Sequence, residues 1–201
     1  VLNLRKIAIT GGVSTGKSTV CRLLADRGAY VVDTDKIVHT LLSSDSQIRK
    51  QVINLLGAGV LVDGQINRKA IADKVFSDPE TLKSLELLLH PAVFHEMQLQ
   101  YQRVKDDPKY NLFVAEVPLL YETESSKLFD CVVVVLSERQ LCLNRFTKEN
   151  KGSLKSFEQR MQRQMEPKEK AAKANLVLIN NDSIENLSNQ VTKLLTKIRS
   201  I

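Results

Sequence analysis

The sequence predicts a three-layer α/β fold with a parallel central sheet, a helical insertion and a helical lid, and three observations carry that prediction. Short apolar runs bounded by turn residues alternate with stretches of helical spacing, the pattern of an open parallel sheet covered on both faces. A long stretch of helical character, 34–111, interrupts the alternation between the second and third runs and should form a lobe. The chain has 201 residues with 43% hydrophobic content, enough for one substantial core, so a single domain carrying an inserted lobe is expected.

The first strand is read at 5–10, a short apolar run that ends in glycines, and helical spacing follows at 18–27 through Val20, Leu23 and Leu24. A second short strand, 30–33, ends abruptly on carboxylates, where chain reversal and ligand contact are expected in such sheets. In the long insertion, apolar positions recur at helical spacing at Ile48, Val52, Leu55 and Leu56, and again at Leu82, Leu85, Leu88 and Leu89. Gly57, Gly59 and Gly64 break it early. Asp78 and Pro79 then start a new helix as cap and first-turn proline, and Pro91 is expected to start the next. Asp106, Asp107 and Pro108 close the lobe. Further buried strands are read at 112–117, Cys131–Leu136 and Leu176–Ile179. Between the last two, 138–148 is helical, 149–153 is polar with one glycine, and 154–173 resumes as helix, an arrangement suited to a lid. An amphipathic helix at 184–201 ends the chain.

Composition narrows the function. The longest uninterrupted apolar run, Cys131–Leu136, is far shorter than the roughly 20 residues a membrane-spanning helix needs. The segment 1–9 reads as a first strand, not a signal peptide. Three widely spaced cysteines, Cys21, Cys131 and Cys142, suggest neither a disulfide framework nor a zinc site, and a reducing cytoplasm is the expected compartment. The formal charge of +6 suits either nucleic acid or small substrates bearing several phosphates. Residues 138–170 hold nine Lys or Arg against five Asp or Glu, but with no block of like charge and almost no interleaved aromatics, which argues against a base-stacking platform.

The chemistry begins at Gly11-Gly12-Val13-Ser14-Thr15-Gly16-Lys17-Ser18, a full match to the phosphate-loop pattern, placed between a predicted strand and a predicted helix. Its glycines let successive N–H groups point into one concavity, and the following helix, entered through Thr19, adds its positive dipole end. Lys17 would reach the outer phosphates and the Ser18 hydroxyl would ligate magnesium. The alternative is a glycine-rich turn that binds nothing, in which the Lys-Ser pair would have no purpose.

That loop alone says nucleoside triphosphate. A guanine-nucleotide switch would need an Asn-Lys-x-Asp segment, and Asn150-Lys151-Gly152-Ser153 lacks the aspartate. A motor ATPase should show an apolar strand ending in a magnesium-directed carboxylate, but Cys131–Leu136 ends in leucine. A small phosphotransferase remains, for which Asp33 and Asp35 are the candidate acceptor-side carboxylates. If the chain stays extended they point to one side, one taking the acceptor's proton and the other holding magnesium-bound water or a neighbouring side chain. Both also have the alternative of capping the next helix. The runner-up is another small-molecule or nucleotide kinase of the same fold, and a regulatory nucleotide-binding protein that phosphorylates nothing is the rival from another class.

Several ordered segments carry a family resemblance. Thr10 precedes the loop, and Val32-Asp33-Thr34-Asp35 follows it. The insertion holds Asn67-Arg68, Val75-Phe76, Leu85-Glu86 and Leu89-His90-Pro91. Then come Val117-Pro118-Leu119-Leu120-Tyr121-Glu122, Arg160, Gln164-Met165, Lys170 and Asn180. Over nearly the whole chain this set resembles the dephospho-coenzyme A kinase family, P-loop NTPases with a helical substrate-binding insertion. The resemblance implies transfer of the ATP terminal phosphate to the 3′-hydroxyl of the ribose of dephospho-coenzyme A, with magnesium. Asp35 is then the base, and Arg145 the lid arginine whose planar fork bridges phosphate oxygens. It further implies an adenine-side role for Asn180 and substrate contacts from Asp33, Arg68, His90, Leu119, Glu122 and Arg160. The implied partition is a nucleotide-binding core at 1–40, 109–137 and 174–201, a substrate lobe at 41–108 and a lid at 138–173. The expected partner is dephospho-coenzyme A, without nucleic acid or membrane, for a monomer or weak homo-oligomer.

The chain also departs from that family pattern. Cys142 stands for a glutamine, Glu149 for a second lid arginine and Asn175 for an aspartate, and Glu116 is given no role. For His90 a helix-start histidine held by local hydrogen bonds is the alternative, for Glu122 a helix cap, and for Arg68 and Arg160 a solvated charge. His39 and His95 are read as surface or packing residues, and Cys142 as a small apolar filler.

Overall fold

Among the residues described by the computed structural model, 4–75, 78–148 and 152–200, the chain runs β1 (Lys6–Gly11), α1 (Lys17–Ala25), β2 (Ala29–Asp33), α2 (Thr34–Ser44), α3 (Ser46–Leu56), β3 (Leu61–Val62), β4 (Gln65–Ile66), α4 (Arg68–Val75), α5 (Pro79–Val104), β5 (Leu112–Glu116), β6 (Cys131–Leu136), α6 (Arg139–Lys148), α7 (Leu154–Gln162), α8 (Pro167–Lys173), β7 (Leu176–Ile179) and α9 (Ile184–Ser200). Phe76, Glu149, Asn150 and Lys151, named above, lie outside the described residues. Two compact units result: Val1–Val32 with Val104–Ile201, and Asp33–Arg103. The division falls at Asp33, ahead of the lobe boundary expected near residue 41.

The first unit is built on a five-stranded sheet of order β2-β5-β1-β6-β7. β1 pairs in parallel with both β5 and β6, and β6 with β7. The largely apolar runs of β1, β5 and β6 are buried on both faces, which is why they lack the polar alternation of a half-exposed strand. On one face Ile7, Ile9, Val114, Val133 and Val135 pack with Val20 and Leu24 of α1 and with Leu187, Val191, Leu194 and Ile198 of α9. The opposite parity, Ala8, Phe113, Ala115, Val132 and Val134, is equally buried. β7 is an edge. Gln190 blunts it by accepting from the Ile179 N–H (3.1 Å) and donating to its carbonyl (2.8 Å), a side chain standing where another strand would pair.

The second unit has its own core, in which Leu42, Ile48, Val52, Leu56, Val60, Ile71, Val75, Leu85 and Leu89 meet. The helical spacing read from sequence is the spacing of these positions. Three sequence expectations are corrected. The glycines at 57–64 do more than break a helix: Asp63 (φ 50°) and Gly64 (φ 72°) form the two-residue turn of the β3–β4 hairpin, and an Asp-Gly pair is the sequence signal for it. Arg49 clamps that hairpin by donating to the Ser43 carbonyl, the Gln65 amide oxygen and the Gly64 carbonyl. Pro91 starts no helix; it lies inside α5. Its missing N–H removes the helix bond to the Leu87 carbonyl, on a residue that is 66% exposed.

The third correction concerns the lid. The segment read as continuous helix at 154–173 is broken between α7 and α8. Pro167 opens α8 and holds Glu166 in an extended conformation (φ −52°, ψ 136°), which the residue before a proline favours.

Candidate functional site

The loop from Gly11 to Ser18 connects the end of β1 to the start of α1. A side chain at Gly11 (φ 147°) would collide with the Val135 carbonyl of the neighbouring strand, so the tight exit from β1 requires glycine. Gly16 (φ 98°) stands at the N-terminus of α1 in the left-handed region, turning the backbone so that the first N–H groups of the helix face outward. Lys17 is 8% exposed and donates to the Gly11 (3.2 Å) and Gly12 (2.7 Å) carbonyls. Its ammonium therefore sits in the curl of the loop, on acceptors that phosphate oxygens can replace. Thr15 braces the curl through its hydroxyl on the Gly12 carbonyl, 3.2 Å.

Ser18 donates its hydroxyl to Glu116 Oε1 at 2.9 Å. Glu116 ends β5, buried, in register with Ile9 of β1. The apolar strand ending in a carboxylate, which β6 is not, is β5, the other neighbour of β1. Glu116 was assigned no role from sequence; the available signal was a single acid closing the run Leu112–Glu116. With this strand in place, the ending of β6 in leucine excludes nothing.

Asn180, after β7, donates its amide to the Thr15 carbonyl (2.8 Å) and fills the space that a Gly16 side chain would need. Its own carbonyl accepts from Arg145 Nη2 (2.9 Å), whose Nη1 donates to the Ser137 hydroxyl (3.0 Å). The loop, Asn180 and Arg145 thus form one hydrogen-bonded group. Val13 of the loop packs with Cys142, Phe146 and Phe157, so α6 and α7 share a small core with the loop. Burial pushes the Cys142 thiol up, which keeps it an uncharged filler. Arg160 lies over the Phe146 ring, 5.4 Å from its centroid. Asn175 accepts from the Val132 N–H at 2.7 Å, a strand-end cap that an amide oxygen makes without charge.

Leu119 and Glu122 stand on the segment after β5. Leu119 is half-buried, and its carbonyl receives the Thr123 hydroxyl at 2.8 Å. Glu122 caps no helix of its own: Oε1 accepts from the Met165 N–H (2.7 Å) and pairs with the fully buried Lys170 (2.9 Å).

The other candidates belong to the second unit. Asp33 ends β2, and its Oδ1 accepts from the Asp35 (3.0 Å) and Lys36 (3.2 Å) N–H groups, the helix-capping geometry. Because α2 begins at Thr34, the chain does not stay extended, and the same-side arrangement expected of Asp33 and Asp35 is replaced by a cap and a first-turn residue. Asp35 is exposed. Arg68 opens α4, exposed, beside Asn67, whose side chain caps that helix through the Ala70 N–H at 3.0 Å. His90 is interior to α5, not at a helix start. Burial lowers its pKa, against a smaller opposing pull from Glu86 one turn earlier.

Comparison with known proteins bears on the whole chain. A family model described as dephospho-CoA kinase matches residues 5–186. A dephospho-CoA kinase of Protochlamydia amoebophila is 44% identical over 200 residues, covering 99% of this chain and 98% of that protein. The crystal structure of TT1252 from Thermus thermophilus superposes with a TM-score of 0.84 at 30% identity, covering 97% of this chain and 98% of the other. A dephospho-CoA kinase structure from Campylobacter jejuni shares the fold, with a TM-score of 0.64 at 24% identity over 96% of this chain and 97% of that one.

Proposed function

We propose that this chain, which belongs to the dephospho-CoA kinase family, transfers the terminal phosphate of ATP to the 3′-hydroxyl of the ribose of dephospho-coenzyme A, giving coenzyme A and ADP. The observation that carries the reading is the complete phosphate loop with Lys17 seated in its curl, in a chain similar along its length to dephospho-CoA kinases.

In this reading the loop N–H groups from Val13 to Thr19 hold the donor phosphates, and Lys17 exchanges the Gly11 and Gly12 carbonyls for phosphate oxygens. Arg145 turns its fork from Ser137 and Asn180 to the transferring group, while Asn180 keeps the loop and lines the adenine side. Asp35 accepts the proton of the acceptor hydroxyl, and Asp33 fixes the backbone beneath it. Arg68, His90, Leu119 and Arg160 are the remaining acceptor-side candidates; Glu122 is instead engaged by Lys170 and the Met165 N–H.

Magnesium fits the residues present. The Ser18 hydroxyl and Glu116 are hard oxygen donors, and among the described residues no three His, Cys, Asp or Glu cluster into an all-protein cage, a composition suited to an ion shared with phosphates. When bound it supplies positive charge to the phosphate oxygens. Glu116 takes the water-directed role first given to Asp33, because it holds the Ser18 hydroxyl. No helix among the described residues is long and apolar enough to cross a membrane. A cytoplasmic enzyme, monomeric or weakly self-associating, completes the reading.

One assay tests the reading: magnesium ATP is incubated with dephospho-coenzyme A, adenosine monophosphate or no acceptor, and ADP and product mass are followed. ADP formation dependent on dephospho-coenzyme A, with a product heavier by one phosphoryl group, is expected. Turnover only with adenosine monophosphate, or none that depends on an acceptor, would overturn it.

A further inference from the structure

We propose that the buried Lys170–Glu122 ion pair is a positioning device for the ATP site: it latches the α7–α8 turn onto the segment after β5 and thereby holds both the base and the wall of the phosphate loop. Lys170 is fully buried, and an ammonium persists in such a place only with close acceptors. It has two, Glu122 Oε1 at 2.9 Å and the Pro118 carbonyl at 2.8 Å. The same carboxylate oxygen accepts from the Met165 N–H at 2.7 Å, in the turn between α7 and α8. One pair of side chains therefore joins three pieces of chain.

Both ends of this junction reach the loop. The Pro118 carbonyl also accepts from the Thr10 hydroxyl (3.3 Å), and Thr10 is the residue before Gly11, so Lys170 and the base of the loop share one acceptor. On the other side, a Cβ at Gly12 would lie 3.9 Å from Met161 Sδ and 3.9 Å from Pro167 Cγ. Met161 and Pro167 flank the turn that Glu122 holds, and Met161 packs against the cluster containing Val13. A turn released from Glu122 would loosen Met161 and Pro167, which stand against Gly12 and against the cluster containing Val13.

The chemistry of the junction favours position over stability. Glu122 Oε2, the Tyr121 hydroxyl and Gln164 Oε1 are buried without a hydrogen-bond partner among the described residues, on the two segments the latch joins. Unpaired buried polar atoms cost free energy, and a buried ion pair is commonly no more stabilising than apolar residues of similar volume. What apolar residues cannot reproduce is the bonding of Pro118 and Met165 to one fixed point.

The inference rests on the kinase reading, and the test separates the two. Kinetics, thermal midpoints and hydrogen exchange of segment 161–167 are measured for wild type, Lys170→Met, Lys170→Arg, Glu122→Gln and the charge-free double variant Lys170→Met/Glu122→Met. Lys170→Met should lower the midpoint and raise the KM for ATP roughly tenfold, with the KM for dephospho-coenzyme A within about twofold of wild type. Lys170→Arg should recover part of the ATP KM. The double variant should regain the midpoint yet keep the raised ATP KM and a fast-exchanging Met165 amide, because the bonds to Pro118 and Met165 stay lost. An ATP KM at the wild-type value in the double variant, or equal rises for both substrates in Lys170→Met, would make the pair merely structural and overturn the proposal. If Lys170→Met does not fold, Glu122→Gln and the double variant decide on the ATP KM; if the double variant also fails, Glu122→Gln and Lys170→Arg decide. Wild-type protein that turns over no acceptor sinks the kinase reading instead.

Discussion

Replacing Glu116 by alanine removes the acceptor of the Ser18 hydroxyl, and the structure sets the scale of the effect. The bond is 2.9 Å, to a carboxylate buried at the end of a central strand. A hydrogen bond to a charged group contributes about 1.5–3 kcal/mol. At about 1.36 kcal/mol per factor of ten, the half-saturating magnesium concentration should rise about 10- to 150-fold. Glu116→Gln keeps an oxygen acceptor but loses the charge, so its shift should fall between alanine and wild type. Initial rates against free magnesium at fixed ATP give the constant, and calorimetric titration of ATP with and without magnesium shows whether the loss belongs to the metal. An unchanged magnesium constant in Glu116→Ala, or an equal loss of affinity for magnesium-free ATP, would refute the assignment and leave Glu116 a structural partner of Ser18.

Other outcomes follow from the same geometry. Asp35→Asn should lower kcat by on the order of 100-fold or more with ATP affinity nearly unchanged, and an unaltered kcat would remove it as the base. Gly16→Ala introduces a Cβ at φ 98° into the Asn180 amide that braces Thr15, so urea unfolding should show a loss of at least about 2 kcal/mol. His90 has a folded pKa below its ordinary 6.5, so on acidification the unfolded chain takes up the proton first. The associated stability is complete above about pH 6.5 and is lost as pH falls toward the folded value; the thermal midpoint of wild type should drop faster below that pH than that of His90→Gln, and parallel curves would contradict the burial argument.

Much of the donor side was legible because its chemistry is contiguous. Eight residues in fixed order define the phosphate loop, and the strand before it and the helix after it announce themselves by apolar spacing over a few turns. Asp33 shows where such reading stops. Two carboxylates two residues apart look like a same-side pair only while the chain is extended, and the helix begins one residue after Asp33. The Asp63-Gly64 hairpin is also written in the sequence, but helical spacing on either side of it masks the turn signal.

By itself, then, the sequence determined the phosphate loop, the apolar faces of both units and, through ordered segments spread over the chain, the family. Tertiary structure alone decided how distant groups meet at the candidate site. Glu116 meets Ser18 because β5 lies beside β1 with Glu116 opposite Ile9. Asn180 reaches Thr15 because β7 ends across β6 from the loop, and Lys170 meets Glu122 because the chain turns at Pro167. A charge's partner is set by strand order and register over long separations, and neither spacing nor composition encodes that order locally.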